Sequence, residues 1–364
     1  MSKSTPLKIL LIQHEPMTWR QGRSYPYCLN FGFADSLEAN GAEVTMVTTP
    51  WRSRLRDLCH GKQFDQVWFN DLSHFAEMQW DISDLIDLAP VRVGFATESL
   101  THSDEERALH DWIWMRDKYL PRYLAQMTHV AAVDEQDQTQ VHQTYGIPTM
   151  YHPVPIPKRF VRQPATAAPY QGGYFSGSLY GERGDWLKDQ PLLQYQPSTN
   201  SGRLEQRTFD FLHQRVLFAR VKAPTSLLPA INAFYLKTIR TLRQRTANQW
   251  LDGMQQGAAV VNLPHLVKGY SSRVIEGMAA GRPVISWRIP NAPQNEALFE
   301  DGKEILLYST PQELGAHIEN VVTDPDWARQ IANNARQKLL QHHTSTHRVR
   351  QILDWVESGK TPQF

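Results

Sequence analysis

The sequence predicts an α/β protein of two domains, each built on a parallel sheet, and three observations predict it. Short apolar runs (KILLIQ, EVTMVTT, QVWFN, VRVGFA, HVAAVD and TMYHPV) alternate with helical or polar segments through the first half. Continuous apolar runs, rather than strict alternation, mark strands buried on both faces of a parallel sheet. The chain has 364 residues, 41% of them hydrophobic, which exceeds one ordinary core. Between Tyr151 and Tyr170 the stretch HPVPIPKRFVRQPATAAP carries five prolines without sustained periodicity, so it reads as an interdomain crossover. The boundary falls near Pro164, giving residues 1–163 and 164–340 as the two domains and 341–364 as a terminal helix.

Taken in order, KILLIQ is the first strand, and the loop His14–Ser24 (HEPMTWRQGRS) follows at its carboxyl end. Open α/β sheets place ligands there. His14 and Gly22 are therefore candidate substrate contacts, Gly22 by allowing close approach, with an ordinary surface loop as the competing reading. Tyr25–Asn40 reads as a helix, with Leu29, Phe33 and Leu37 spaced by four and Gly41 as its stop. Asp71 and His74 follow the third strand. ATESLTH follows the fourth, which puts Glu98 and His102 at the same edge. Ser103–Met127 reads as one long helix, capped by Ser103 and opened by Asp104, Glu105 and Glu106, with Pro121 expected to kink or split it. Its aromatic residues Trp112, Trp114, Tyr119 and Tyr123 suit core packing or a glycan-facing surface.

In the second half, GGYFSGSLYGERGDWL reads as a strand to Phe175, a loop through Gly177 and Ser178, and Arg183 before a helix. Glycine there admits a phosphate or sugar to the backbone, although such a loop alone is common turn punctuation. Pro191–Ser226 receives no functional assignment, and Pro229–Arg245 reads as a helix with a solvated basic face. GAAVVNLP is a buried strand that leads into KGYSSRVIEGMAAGRPVISW. In that stretch Gly269 frees the loop, Ser271 or Ser272 caps a helix, and Arg273 and Glu276 are expected in its first turn, where outward amides suit an anion. PVISW and EILLY follow as strands around a helix near Gln294–Phe299. Three helices close the chain, at Pro311–Val322, Asp326–Gln341 and Ser345–Ser358.

Composition narrows the function classes. With 38 basic against 37 acidic side chains, the overall balance advertises neither a nucleic-acid nor a membrane surface. Cys28 and Cys59 allow one disulfide at most, and no Cys/His spacing resembles a zinc site. The first apolar run is too short for a secretory signal or a membrane span, so a soluble cytoplasmic protein with reduced thiols is expected.

The run SSRVIEGMAAGRPVIS, followed by NEALFEDGKEILLYSTPQEL, resembles the C-terminal signature of group 1 glycosyltransferases of GT-B fold. Members of the CgeB-like (spore-maturation-type) branch open their second domain with a phrase similar to YFSGSLYGERGDWL. The resemblance implies two Rossmann-like domains facing a central cleft, with the acceptor on the first domain, the nucleotide-diphosphate sugar (UDP among the expected donors) on the second, and the 341–364 helix packed back toward the first. It implies donor phosphates at Gly177, Ser178 and Arg183, a ribose held by Glu276, a diphosphate faced by Arg273, and Tyr270, Ser271 and Ser272 beside them. Where many members keep a glutamate eight positions before the ribose glutamate, this chain has Lys268. That lysine is expected to add positive charge and allow transfer without a bound metal, and no cofactor beyond the donor is expected.

The chemistry asks for such a site, because glycosyl transfer leaves growing charge on a diphosphate that guanidinium groups and amides stabilise. A carboxylate suits two neighbouring ribose hydroxyls. The acceptor must also lose a proton, for which Glu98 ranks first and His102 second. Two other readings stay open: a non-catalytic nucleotide-sugar or glycan-binding protein, and a nucleotide-sugar epimerase. The acceptor, the stereochemical outcome and the oligomeric state are not legible.

Overall fold

The computed structural model describes residues 5–16, 27, 31–109, 111–165, 167–179, 181–196 and 203–364. Six parallel strands form the first sheet: β1 (Lys8–Gln13), β2 (Glu43–Thr48), β3 (Gln66–Asn70), β4 (Val91–Ala96), β5 (His129–Ala132) and β6 (Thr149–Tyr151). Their order is β2-β1-β3-β4-β5-β6. The second sheet holds β7 (Tyr170–Phe175), β8 (Leu193–Tyr195), β9 (Gly257–Asn262), β10 (Val284–Trp287) and β11 (Leu306–Tyr308). Its order is β11-β10-β9-β7-β8, again all parallel.

Each apolar run named above contains a strand, and burial explains why. Ile9, Leu10, Leu11 and Ile12 are all fully buried, so β1 has no solvent face on which polar residues could alternate. TMYHPV is shortened to Thr149–Tyr151, since Pro153 and Pro155 have no N–H for a ladder. The unassigned stretch holds one strand, β8, three residues long at the sheet edge. In each sheet the first strand, β1 or β7, lies between its two successors, so crossovers leave it in opposite directions and open a crevice at its carboxyl end. The loops beginning at His14 and at Ser176 start at these two points.

Helix boundaries differ more. The stretch expected as one helix from Ser103 contains Asp104–Leu109 and Asp111–Leu124, with Pro121 inside the second rather than at a break. Its aromatic residues do not form one buried stripe: Tyr123 is buried and donates its hydroxyl to the Trp80 carbonyl at 2.6 Å, whereas Trp114 is 53% exposed. The helix near Gln294 is only Pro293–Glu296. The helix expected at Pro229–Arg245 runs from Leu228 to Met254, because it lies across the first sheet's surroundings and buries Tyr235, Ile239 and Leu242. Asn232 Nδ2 there donates to the Met46 carbonyl at 3.1 Å. The Ser345–Ser358 helix packs on Phe31–Ala39, fixed by Ser345 N–H to the Ile156 carbonyl at 2.9 Å. No helix among the described residues is long and apolar enough to cross a membrane.

Candidate functional site

On the second lobe, β7 delivers Phe175, Ser176 and Gly177 to the crevice. Arg273, near the start of the Ser272–Ala279 helix, reaches back with Nε to the Ser176 carbonyl at 2.7 Å and Nη1 to Asn262 Oδ1 at 2.9 Å. Arg183, at the start of Arg183–Lys188, donates Nε to the Pro264 carbonyl at 2.6 Å and Nη1 to the Ser178 carbonyl at 2.8 Å. Both guanidiniums lie over the Phe175 ring, at 4.8 and 5.6 Å from its centre. Gly177 leaves room for this packing: a Cβ there would fall 2.3 Å from Arg273 Nη2 and push the guanidinium aside. The field at this point is positive. Burial first, then Arg183 and Arg273, hold His265 well below the usual imidazole range, and neither of its ring nitrogens has a hydrogen-bond partner.

Asn262, at the end of β9, organises the centre. Its Oδ1 also accepts from Ser271 Oγ at 2.9 Å, its Nδ2 donates to Ser286 Oγ at 3.0 Å, and its carbonyl accepts from Tyr308 at 2.9 Å. Ser271 stands at the N-cap position but makes no cap hydrogen bond with its side chain, because that hydroxyl serves Asn262. Glu276 is the fifth helical residue and falls in the second turn, not the first. Its buried carboxylate accepts from Trp250 Nε1 at 2.9 Å and from Ser272, and burial outweighs these bonds and Arg273 to raise its pKa. Ser178 contributes a carbonyl to Arg183. Tyr270 is 3% exposed and packs on Phe299 with ring centres 6.1 Å apart, so its ring belongs to the core.

The first lobe presents a different chemistry. His14 lies against His74 with ring centres 3.5 Å apart and the rings tilted by 45°, and burial, then His74 and Arg243, push its pKa down to about 2. Glu15, fully buried, pairs with Arg243 of the long Leu228–Met254 helix. Asp71 adopts a left-handed backbone (φ 73°), caps Leu72–Glu77 and accepts from Thr97 Oγ1 at 3.0 Å. Glu98 is ion-paired with Arg116 at 2.5 Å, with its own side chain 42% exposed. His102 is buried against Asp117 at 3.3 Å. Gly22 lies outside the described residues.

Lys268 departs from the expected diphosphate contact. Its N–H donates to Ser99 Oγ at 2.8 Å, its Nζ to the Thr101 carbonyl at 3.0 Å, and Nζ stands 3.4 Å from Glu106. The lysine thus faces first-lobe acids. Asp134 and Asp137 lie beside it, and burial, followed by Asp134, pushes Asp137 up to about 7 while Lys268 opposes the shift. Gly269 makes this approach possible: a Cβ would come 2.2 Å from the Val133 carbonyl. A second staple joins the lobes at Asn295, whose Oδ1 accepts from Tyr151 at 3.0 Å and from the Tyr270 N–H at 2.8 Å. Its own N–H donates to Glu135 at 2.7 Å. Glu15, Arg243, Asn262, His265 and Asn295 escaped the sequence reading. NLPH stood next to the motif, but an asparagine and a histidine carry no periodic signal. Among the described residues no group of three or more His, Cys, Asp or Glu is placed to hold a metal.

Two parallel sheets with switch-point loops, tied across by side chains, can be compared with known proteins. Sucrose-phosphate synthase of Thermosynechococcus elongatus matches with a TM-score of 0.58 at 13% identity, over 96% of this chain and 98% of that one. HepE of Anabaena, solved in complex with UDP, matches with a TM-score of 0.50 at 16% identity, over 97% and 100%. The fold is GT-B. Within this GT-B chain, residues 233–354 match the family described as glycosyl transferase-like, a segment that includes Arg273 and Glu276 and excludes Gly177 and Arg183. Glycosyltransferase 1 domain-containing protein 1 of Xenopus tropicalis is 31% identical over 91 residues, so the match spans a quarter of each protein.

Proposed function

We propose that this GT-B protein is a glycosyltransferase that binds a nucleoside-diphosphate sugar on its second lobe and transfers the sugar to an acceptor held by the first. The observation that carries the reading is the convergence of Arg183 and Arg273 on the loop after β7, at the Ser178 and Ser176 carbonyls. Departure of a nucleoside diphosphate concentrates negative charge on phosphate oxygens, and preorganised donors in a desolvated site stabilise that charge most where it develops. Arg273 and Arg183 are oriented by main-chain carbonyls, so they need little reorganisation when the ligand arrives. Glu276 is suited to accept from two ribose hydroxyls, which would restore to its buried carboxylate the solvation that burial removes. The UDP bound to HepE makes uridine the first base to test.

For the acceptor side the geometry favours revising the roles. Glu98 is already engaged by Arg116 at 2.5 Å, and His102 by Asp117 at 3.3 Å. His14, at the first switch point, has its pKa pushed down to about 2 by burial, then His74 and Arg243, and is a poor proton acceptor in that setting. These engagements of Glu98 and Lys268 are also what favours a second reading, a binding protein that retains the donor site without turnover.

The deciding experiment is calorimetric titration with UDP and the other nucleoside diphosphates, followed by assay of UDP release from UDP-sugars with and without candidate acceptors. Binding that disappears in Arg273→Ala supports the donor site. Failure of every nucleoside diphosphate to bind overturns it, and binding without release of nucleotide from any sugar donor selects the binding-protein reading.

A further inference from the structure

The segments Arg203–Phe211, Leu212–Val216 and Leu217–Lys222 run on from one another and turn through residues 223–227 into Leu228–Met254, making a helical hairpin. Its inner face is apolar and buried, with Phe209, Leu212, Val216 and Leu217 in the same core as Tyr235, Ile239 and Leu242. Arg54 fastens the turn to the first lobe, donating Nη1 to the carbonyls of Arg220 at 2.8 Å and Ala223 at 3.2 Å. The outer face is also apolar. Leu204, Phe211 and Phe218, seven residues apart, are 62%, 51% and 63% exposed, and Val221, Leu227 and Phe234 are each more than half exposed. Six of the ten exposed large hydrophobic side chains among the described residues fall in these 31 positions, a concentration that marks an interaction surface.

Charge accompanies it. Residues 203–245 contain nine basic and two acidic side chains, leaving 29 basic against 35 acidic in the rest of the chain. Overall neutrality therefore conceals a strongly cationic hairpin on an acidic body. Arg207, Arg215, Lys222 and Lys237 are exposed, and among the described residues they stand in no ion pair, unlike Arg240 and Arg245, which face Asp35 and Glu205.

We propose that this hairpin docks the protein peripherally on an anionic phospholipid bilayer, a function beyond sugar transfer and independent of it. Apolar side chains interleaved with cations on one helical face suit the boundary between headgroups and acyl chains, where the former bury area and the latter meet lipid phosphates. Only Phe211, Phe218 and Phe234 offer rings to stack on bases, and the aliphatic Leu204, Val221 and Leu227 between and beside them suit acyl chains better than a nucleic-acid strand. A second copy would set one cationic face against another in a two-fold contact, with like charges opposed.

The test is co-sedimentation of the full chain with vesicles of phosphatidylcholine alone and of phosphatidylcholine mixed with phosphatidylglycerol, beside gel filtration and a duplex-DNA shift assay. Binding to the anionic vesicles only is expected. It should fall roughly fivefold for each of Arg207→Gln, Arg215→Gln and Lys222→Gln, and Phe211→Gln with Phe218→Gln should abolish the part that survives high salt. Unchanged melting temperatures establish that the variants are folded, and unchanged UDP affinity separates this result from the donor site. Equal binding to neutral vesicles, no vesicle binding, insensitivity to the variants, or a dimer or DNA complex that the same variants disrupt would each overturn the proposal.

Discussion

The two switch-point edges of this molecule carry charge in opposite ways. On the first lobe several ionisable groups meet as pairs of opposite sign, Glu15 with Arg243, Glu98 with Arg116, His102 with Asp117, and Lys268 with Glu106. On the second lobe Arg183 and Arg273 are oriented by the oxygens of Pro264, Ser178, Ser176 and Asn262, all of them neutral. A carboxylate partner offsets a guanidinium's field more fully than a carbonyl, which mainly orients it. His265 is held below the usual imidazole range by burial first and by these two guanidiniums after it. One edge is therefore built to be stable as it is, and the other to gain by taking up an anion.

The contrast is broken most severely at Glu15. Glu15→Ala removes the carboxylate paired with the buried Arg243 guanidinium and should cost about 3–5 kcal/mol of folding stability, read from denaturant unfolding, with nucleotide affinity unchanged wherever the fold survives. At the other edge Arg273→Ala should leave stability within about 1 kcal/mol while lowering turnover by about 10²–10³-fold. Arg273→Lys should not restore it, since an ammonium lacks the planar fork that spans Ser176 and Asn262. A collapse of stability in Arg273→Ala, with Glu15→Ala tolerated, would invert the comparison.

Glu276 sharpens it further, because there the two kinds of effect oppose each other. Its folded pKa is raised by burial, so the folded state holds the proton more tightly than the unfolded chain. The associated stability is present below the unfolded carboxyl value and is lost as pH rises through the folded one. Glu276→Gln should therefore raise the melting temperature of the ligand-free protein at neutral pH and weaken nucleotide binding by roughly tenfold. A fall in both would assign Glu276 a structural role only.

The smallest effect concerns His152, fully buried with both ring nitrogens unpartnered and packed between Phe33 and Phe95. Burial, then Arg348, holds its pKa down to about 3. A depressed histidine contributes stability that is present above the unfolded value near 6.5 and is lost as pH falls toward 3. His152→Phe should flatten the decline in unfolding free energy between neutral pH and about pH 5, by roughly 1–2 kcal/mol, read from denaturant unfolding at the two pH values. An identical slope in the variant would show that His152 carries none of this dependence.

Much of the fold was legible because parallel strands buried on both faces announce themselves as unbroken apolar runs, as in KILLIQ and GAAVVN. Helix limits were less so, since Leu228–Met254 is prolonged by packing against a lobe remote in sequence, and no local propensity records that. At the site, Arg273 and Glu276 stood in a dense motif, and Gly177 and Arg183 stood in a turn whose meaning depends on Arg273 reaching Ser176 from 97 residues away in the chain. Lys268 was readable as a substitution but not as a contact, because its partners Ser99, Thr101 and Glu106 belong to the other half. Asn262, His265 and Asn295 act through geometry alone.

The Glu15–Arg243 pair has a practical corollary for anyone wishing to divide this protein. Two sheets joined by a proline-rich crossover invite expression of each half by itself. Cutting at that crossover would strand one ion of a buried pair in each fragment, take Leu228–Met254 from its seat, and strip Phe31–Ala39 of its cover by Ser345–Ser358. The architecture is bilobal, but the chain is not modular: each half completes the interior of the other.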